Sequence, residues 1–241
     1  MLNTIIRKLQ RYKGWFGAAG GLCLSLGLYH GLVVSPPDYY QGEVVRIMYV
    51  HVPLAHTSLL AYTVLFLGSL WYLWTRDPVV DNLCHAAAGL SIFFTAVALI
   101  TGSIWAKPTW NTWWTWDARL VSFAVLFLIL AGYLMLRTFI DDPEREARYA
   151  AVLAIVGFID LPIVHFSVEW WRTLHQPLSI SMRGVSISKE MLIPLVLMGI
   201  GFSILFVYML IVRTQMLYLS SLLNAKKGRL LSQAQLAKVE P

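Results

Sequence analysis

Apolar residues gather along the chain into six blocks of about 20, at about 15–34, 52–74, 83–105, 119–140, 148–168 and 191–213, with the charged residues concentrated between them. A helix rises about 1.5 Å per residue, so each block is long enough to cross a hydrocarbon layer of roughly 30 Å. The pattern predicts an all-α polytopic membrane protein of six transmembrane helices, folded as one domain over residues 1–241. Ahead of the first block, Leu2, Ile5, Ile6 and Leu9 recur at helical spacing beside Arg7, Lys8, Arg11 and Lys13, which predicts a short amphipathic helix over 2–13 lying on an anionic leaflet. The first block is longer than a signal peptide's apolar core and no small-x-small site follows it, so it reads as a retained anchor. Beyond the sixth block, Leu217, Leu219, Leu222 and Leu223 carry the helical pattern into the tail at 214–241, with a break expected at Gly228.

Composition agrees with that pattern. Of the 241 residues 58% are apolar and 13% charged, against about 25% charged in soluble domains. The net charge of +6 does not signal nucleic acid, because Lys and Arg are scattered over the loops rather than lined along one face. Cys23 and Cys84 stand far apart with no C-x-x-C or C-x-x-C-H spacing, and there is no G-x-x-x-x-G-K. The sequence therefore carries no signature for a disulfide framework, zinc, covalent haem or ATP. The basic residues set the orientation: 13 of the 19 fall on the side of the two termini and six on the other, so the positive-inside rule predicts that both termini are cytoplasmic.

On the outer side the chemistry is concentrated. Seven of the ten tryptophans, Trp105, Trp110, Trp113, Trp114, Trp116, Trp170 and Trp171, lie in two outer segments, about 106–118 and 169–190 with their flanks. An aromatic belt would occupy both interfaces, so this one-sidedness favours a site. On a helix, Trp110, Trp113, Trp114 and Asp117 would share one stripe, with Thr109, Thr112 and Thr115 turned away. Such a shelf suits a large flat apolar ligand, with Asp117 either binding a polar group of it or capping the fourth span. The histidines show the same asymmetry: His51, His30, His165 and His175 are placed at the outer side, His56 about one turn inside the second span, and only His85 on the inner side. Pro53 in the first turn of the second helix would hold His51 at its mouth, and His175 would share a helical face with Trp171. Two imidazoles beside an aromatic shelf fit haem, whose iron takes imidazole and whose ring needs apolar contact. Asp160, two residues before Pro162 within the fifth block, must be paired, protonated or facing a cavity, and the proline predicts a kink there.

The stretch Trp110-Asn111-Thr112-Trp113-Trp114-Thr115-Trp116-Asp117-Ala118-Arg119-Leu120 resembles the WWD signature of haem-handling proteins in cytochrome c maturation. Arg46-Ile47-Met48-Tyr49-Val50-His51-Val52-Pro53 and Val168-Glu169-Trp170-Trp171-Arg172-Thr173-Leu174-His175-Gln176 resemble two further motifs of the family. With six spans over this length the chain is similar throughout to the haem exporter protein C (CcmC) family, since the WWD relatives CcmF and CcsA have more spans. It departs from the family pattern at Asn111, where Gly is common, and at Val121, where Thr is; Asn tolerates a positive φ, so a tight backbone position survives.

The resemblance implies haem b as the transferred ligand, with His51 and His175 as axial ligands of its iron. It implies that Trp110, Trp113, Trp114, Trp116, Asp117, Arg119, Trp170 and Trp171 belong to the haem-binding segments. It further implies a bacterial inner membrane, a periplasmic WWD loop, and a transfer subunit rather than an enzyme. The expected partners are a CcmA-type ATPase, a CcmB-type permease, a CcmD-type small membrane protein and a CcmE-type periplasmic haem chaperone. Two competing readings are a b-type haem electron carrier, which would place paired histidines within the spans, and a purely structural transporter subunit whose tryptophans are anchors.

Overall fold

A computed structural model describes residues 2–176, 180–181 and 184–236. Its helices are α1 (Leu2–Tyr29), α2 (Met48–Thr75), α3 (Pro78–Trp110), α4 (Ala118–Phe139), α5 (Pro143–Gly157), α6 (Asp160–Trp170) and α7 (Lys189–Leu236). Six segments are long and apolar enough to span a membrane, α5 and α6 together making the fifth. The strands among the described residues are β1 (Ile180–Ser181) and β2 (Gly184–Val185), an antiparallel pair in which Ile180 faces Val185. This is the six-span helical membrane architecture that the apolar blocks predict.

Aspartates set several helix starts. Asp77 Oδ1 accepts from the Val79 amide at 2.8 Å ahead of Pro78, and Asp142 Oδ1 accepts from the Arg145 amide at 2.7 Å ahead of Pro143. In both cases the carboxylate satisfies an orphan N–H while the proline, having none, sits where it costs nothing. α2 stops at Arg76, whose left-handed φ of 55° turns the chain. Away from the tryptophan loop, the Arg137 guanidinium binds Asp81 in a fork at 2.7 and 2.6 Å and reaches Glu146 at 2.9 Å, tying α3, α4 and α5 together.

Small residues let the helices approach closely, as in other membrane bundles. Where α1 meets α7, a Cβ on Gly27 would fall 2.8 Å from the Met198 side chain and one on Gly201 2.9 Å from Leu24. One buried cluster, with Tyr62, Leu65, Leu126, Leu130 and Ala150, joins the second to fifth spans. Another, with Leu54, Phe94, Phe123, Val164 and Phe206, brings in the sixth and lies beneath the tryptophan loop.

Several expectations need correction. Residues 2–13 are helical but run without interruption into the first span, so they are not a separate surface helix. The helical tail continues through Gly228 to Leu236, because one glycine costs a helix only about 1 kcal/mol. The kink expected at Pro162, by contrast, is present, as a break of the fifth span at Phe158–Ile159 ahead of Asp160. A proline lacks the N–H and its ring collides with the carbonyl four residues back, which is that of Phe158. That carbonyl instead accepts from Leu161 at 3.1 Å, and Pro162 sits harmlessly in the first turn of α6. Asp160 is buried beside the break, and its Oδ2 has no hydrogen-bond partner among the described residues.

Candidate functional site

The second span begins earlier than the sequence suggested. A 3-10 turn over Glu43–Ile47 leads into α2 at Met48, which places His51 in the first turn and Pro53 in the second. The His51 ring lies against α3: Nδ1 is 3.1 Å from Thr101 Oγ1, and the ring meets Trp105 edge-on with centroids 5.6 Å apart. Thr101 already spends its single hydroxyl proton on the Val97 carbonyl at 2.8 Å. With that proton on Val97, the imidazole is assigned as the donor, which puts its proton on Nδ1 and leaves the Nε2 lone pair available. Gly102 makes this possible, since a Cβ there would stand 2.9 Å from His51 Cε1.

His175 is held by the tryptophan loop. Its Nδ1 is 3.0 Å from Asp117 Oδ2, which also accepts from Thr173 Oγ1 at 2.9 Å. A carboxylate only accepts, so Nδ1 again carries the proton and Nε2 is again the free donor of a lone pair. Of the two roles left open by the sequence, Asp117 takes the cap, Oδ1 accepting from the Leu120 amide at 2.9 Å, while Oδ2 engages His175. Burial would raise the Asp117 carboxyl, but the Leu120 N–H and the contacts with His175 and Thr173 outweigh it and hold the group below the usual carboxylate range. Burial, aided by the Arg119 charge, holds His175 below 6.5 despite Asp117, and so keeps it neutral.

The loop between α3 and α4 is not the helix that the stripe requires. α3 ends at Trp110 and Asn111 takes a left-handed φ of 57°, the conformation its side chain tolerates. The chain then turns, with Thr112 Oγ1 donating to the Trp114 carbonyl at 2.9 Å. Trp110 and Trp114 therefore separate from Trp113 and Trp116, which are exposed. His175 does not share a helical face with Trp171 either, because α6 ends at Trp170 and Trp171 is extended. It packs instead edge-on against Trp110, 4.9 Å between centroids.

A cavity of about 800 Å³ lies between the spans at this end. His51, His175, Trp105, Trp110, Trp114 and Arg119 line it, over a floor that includes Leu59, Phe123 and Val164. Arg119 braces the wall, its Nε donating to Ser167 Oγ at 3.3 Å and its guanidinium to the His165 carbonyl at 3.1 Å. Gln41 reaches in from the segment between α1 and α2, its Oε1 accepting from Trp105 Nε1 at 2.7 Å. Of the remaining residues singled out in the sequence, Trp113, Trp116, Trp170 and Trp171 are exposed beside the cavity and do not line it. Sequence reasoning missed Thr101, Gly102 and Thr173, and only Thr173 falls within a stretch that had been singled out.

Among the described residues no three His, Cys, Asp or Glu side chains converge as a bare metal ion would need. Two histidines on separate segments instead suit a metal that brings its own equatorial ligands. Comparisons with known proteins point the same way. Residues 3–228 match the family model described as heme exporter protein C. The chain is 48% identical to a heme exporter protein C of Bradyrhizobium diazoefficiens over 82% of its own length and 75% of the relative's. It is 39% identical to a heme exporter protein C of Haemophilus influenzae, over 89% and 87% of the two chains. A ccmC-like mitochondrial protein of Marchantia polymorpha, named for cytochrome c biosynthesis, is 41% identical over 81% and 83%. On the match of nearly its whole length, the chain belongs to the heme exporter protein C family.

Proposed function

We propose that this protein binds haem b at the periplasmic face of a bacterial inner membrane and presents it to a periplasmic haem chaperone for c-type cytochrome biogenesis. The observation that carries this reading is the pair of imidazoles on one aromatic-lined cavity, each with Nδ1 turned to an acceptor, Thr101 Oγ1 or Asp117 Oδ2, which leaves Nε2 to donate to iron. A cavity of about 800 Å³ lies within the range of ligand pockets, roughly 300–1,000 Å³. Haem is cargo here: His51 and His175 would hold its iron, Trp110 and Trp114 would contact the ring, and the exposed Trp113, Trp116, Trp170 and Trp171 would stand at the rim where a chaperone arrives. A transfer protein must release what it binds, and a site open at its outer edge lets an incoming ligand replace one histidine at a time.

The names of the relatives support work within a haem export system, which implies the CcmA-type ATPase, CcmB-type permease, CcmD-type small membrane protein and CcmE-type chaperone as partners of an ABC-type complex. The test is haem absorption by the purified protein and transfer to the chaperone. His51→Ala and His175→Ala should each shift the Soret band and block transfer while the protein stays in the membrane. Unchanged spectra and full transfer from both variants would refute the assignment.

A further inference from the structure

The cavity has a second pair of imidazoles. His56 on α2 and His165 on α6 line the same space as His51 and His175, and neither side chain has a hydrogen-bond partner among the described residues. His165 meets Phe166 edge-on at 4.8 Å between centroids, and its carbonyl, not its ring, is what Arg119 binds. Both histidines are exposed although they lie inside spanning segments. His56 follows His51 by five residues, which puts it about 7.5 Å deeper along α2.

Wall residues of the cavity are exposed as well. Val52 on α2 and Val196 and Ile200 on α7 line the cavity and are 39%, 41% and 47% exposed, within segments long and apolar enough to span a membrane. Exposed wall residues within the spans are what a side opening toward the bilayer requires. An imidazole at such an opening is costly to maintain against lipid unless something engages it. What can reach it there must be soluble in the bilayer, flat enough to pass between helices, and equipped with a centre that takes a nitrogen lone pair. A metalloporphyrin has all three properties.

Resting on the haem-binding reading above, we propose that His56 and His165 form a transit site, which takes the iron of haem entering laterally from the membrane and passes it to His51 and His175. Each step exchanges one imidazole nitrogen for another at iron, so it needs no redox partner. The free Nε2 atoms of the outer pair, with Nδ1 already locked, draw the iron outward.

The test uses the full chain reconstituted in phosphatidylcholine vesicles and haem b supplied from vesicles of the same lipid, with growth of the Soret band followed in time. The His56→Leu/His165→Leu protein should load roughly tenfold more slowly while reaching the wild-type Soret position, as loss of a path rather than of the final ligands requires. The His56→Gln/His165→Gln protein, which keeps polarity and bulk, should behave alike and serves if the leucine variant misfolds. In a His51→Ala/His175→Ala protein some haem should remain, histidine-ligated by resonance Raman, and disappear when His56 and His165 are also replaced. Loading at the wild-type rate, or residual haem indifferent to His56 and His165, overturns the transit site. A wild-type protein that takes up no haem overturns instead the reading on which it rests.

Discussion

Asp117 joins two functions in one carboxylate, and Asp117→Asn separates them. Asparagine caps a helix as well as aspartate does, so the Oδ1 contact to the Leu120 amide survives and α4 should start where it does now. The other contact does not survive intact. A carboxylate accepts from His175 Nδ1 in only one sense, whereas an amide can accept or donate and so no longer dictates which ring nitrogen carries the proton. The lost interaction is a charge-assisted hydrogen bond of 3.0 Å between side chains only 20% and 8% exposed, and such bonds contribute about 1.5–3 kcal/mol. That corresponds to roughly a 10- to 100-fold weaker hold on iron, the range found when the outer partner of a metal-bound histidine is removed. Haem titration of the apoprotein in detergent measures it. Asp117→Ala should lose the same affinity and in addition about 1 kcal/mol of stability through the cap. A dissociation constant for Asp117→Asn within about twofold of wild type, with an unchanged spectrum, would refute the argument that the carboxylate fixes the His175 tautomer.

Gly102→Ala tests the other proposed ligand: alanine is the better helix former by about 1 kcal/mol, yet its Cβ would stand 2.9 Å from His51 Cε1, so the ring must move off Thr101. The expected outcome is a helix no less stable and a Soret band altered toward that of His51→Ala; a wild-type band would show that His51 does not ligate from this position. For pH, a His51→Ala/His56→Ala/His165→Ala protein leaves His175 as the one histidine lining the cavity. Because burial holds His175 below its unfolded value, its contribution to stability is present above pH 6.5 and lost as pH falls through the lower folded value. Haem affinity in that variant should be level from pH 8 to 6.5 and decline only below; a decline centred at 6.5 or higher contradicts the assignment.

How far the sequence spoke for itself depended on the range of the physics involved. The spans were legible because crossing hydrocarbon demands a length and a polarity, and those demands act on each block separately. The positive φ at Asn111 was legible for the same reason, being a property of one residue. The aromatic stripe was not, because periodicity says which residues would align on a helix and not whether the helix continues. Once Asn111 turns the backbone left-handed, Thr112 and Lys107 take up the loop carbonyls, Lys107 Nζ reaching the Asn111 carbonyl at 3.2 Å. The regular pattern from Trp110 to Asp117 then has no helix to lie on.

The partners of the two proposed ligands lay further out of reach. Asp117 and His175 meet only because α4, α5 and α6 go down and back between them, and His51 meets Thr101 only through the packing of α2 on α3. Nothing in a local motif distinguishes Thr101 from the other hydroxyl residues in the spans. Its role depends on the Val97 carbonyl having claimed its proton, which leaves an acceptor facing His51. The result is an unequal pair, a carboxylate behind His175 and a neutral hydroxyl behind His51. A charged acceptor makes the imidazole more electron-rich, so His175 should be the stronger donor to iron and His51 the first to yield when an incoming ligand competes. If so, Asp117→Asn should reduce retained haem more than Thr101→Val does, in the same titration. Equal losses would mean that the two histidines share the iron evenly, and that the order of release is set by access at the rim rather than by what stands behind each ring.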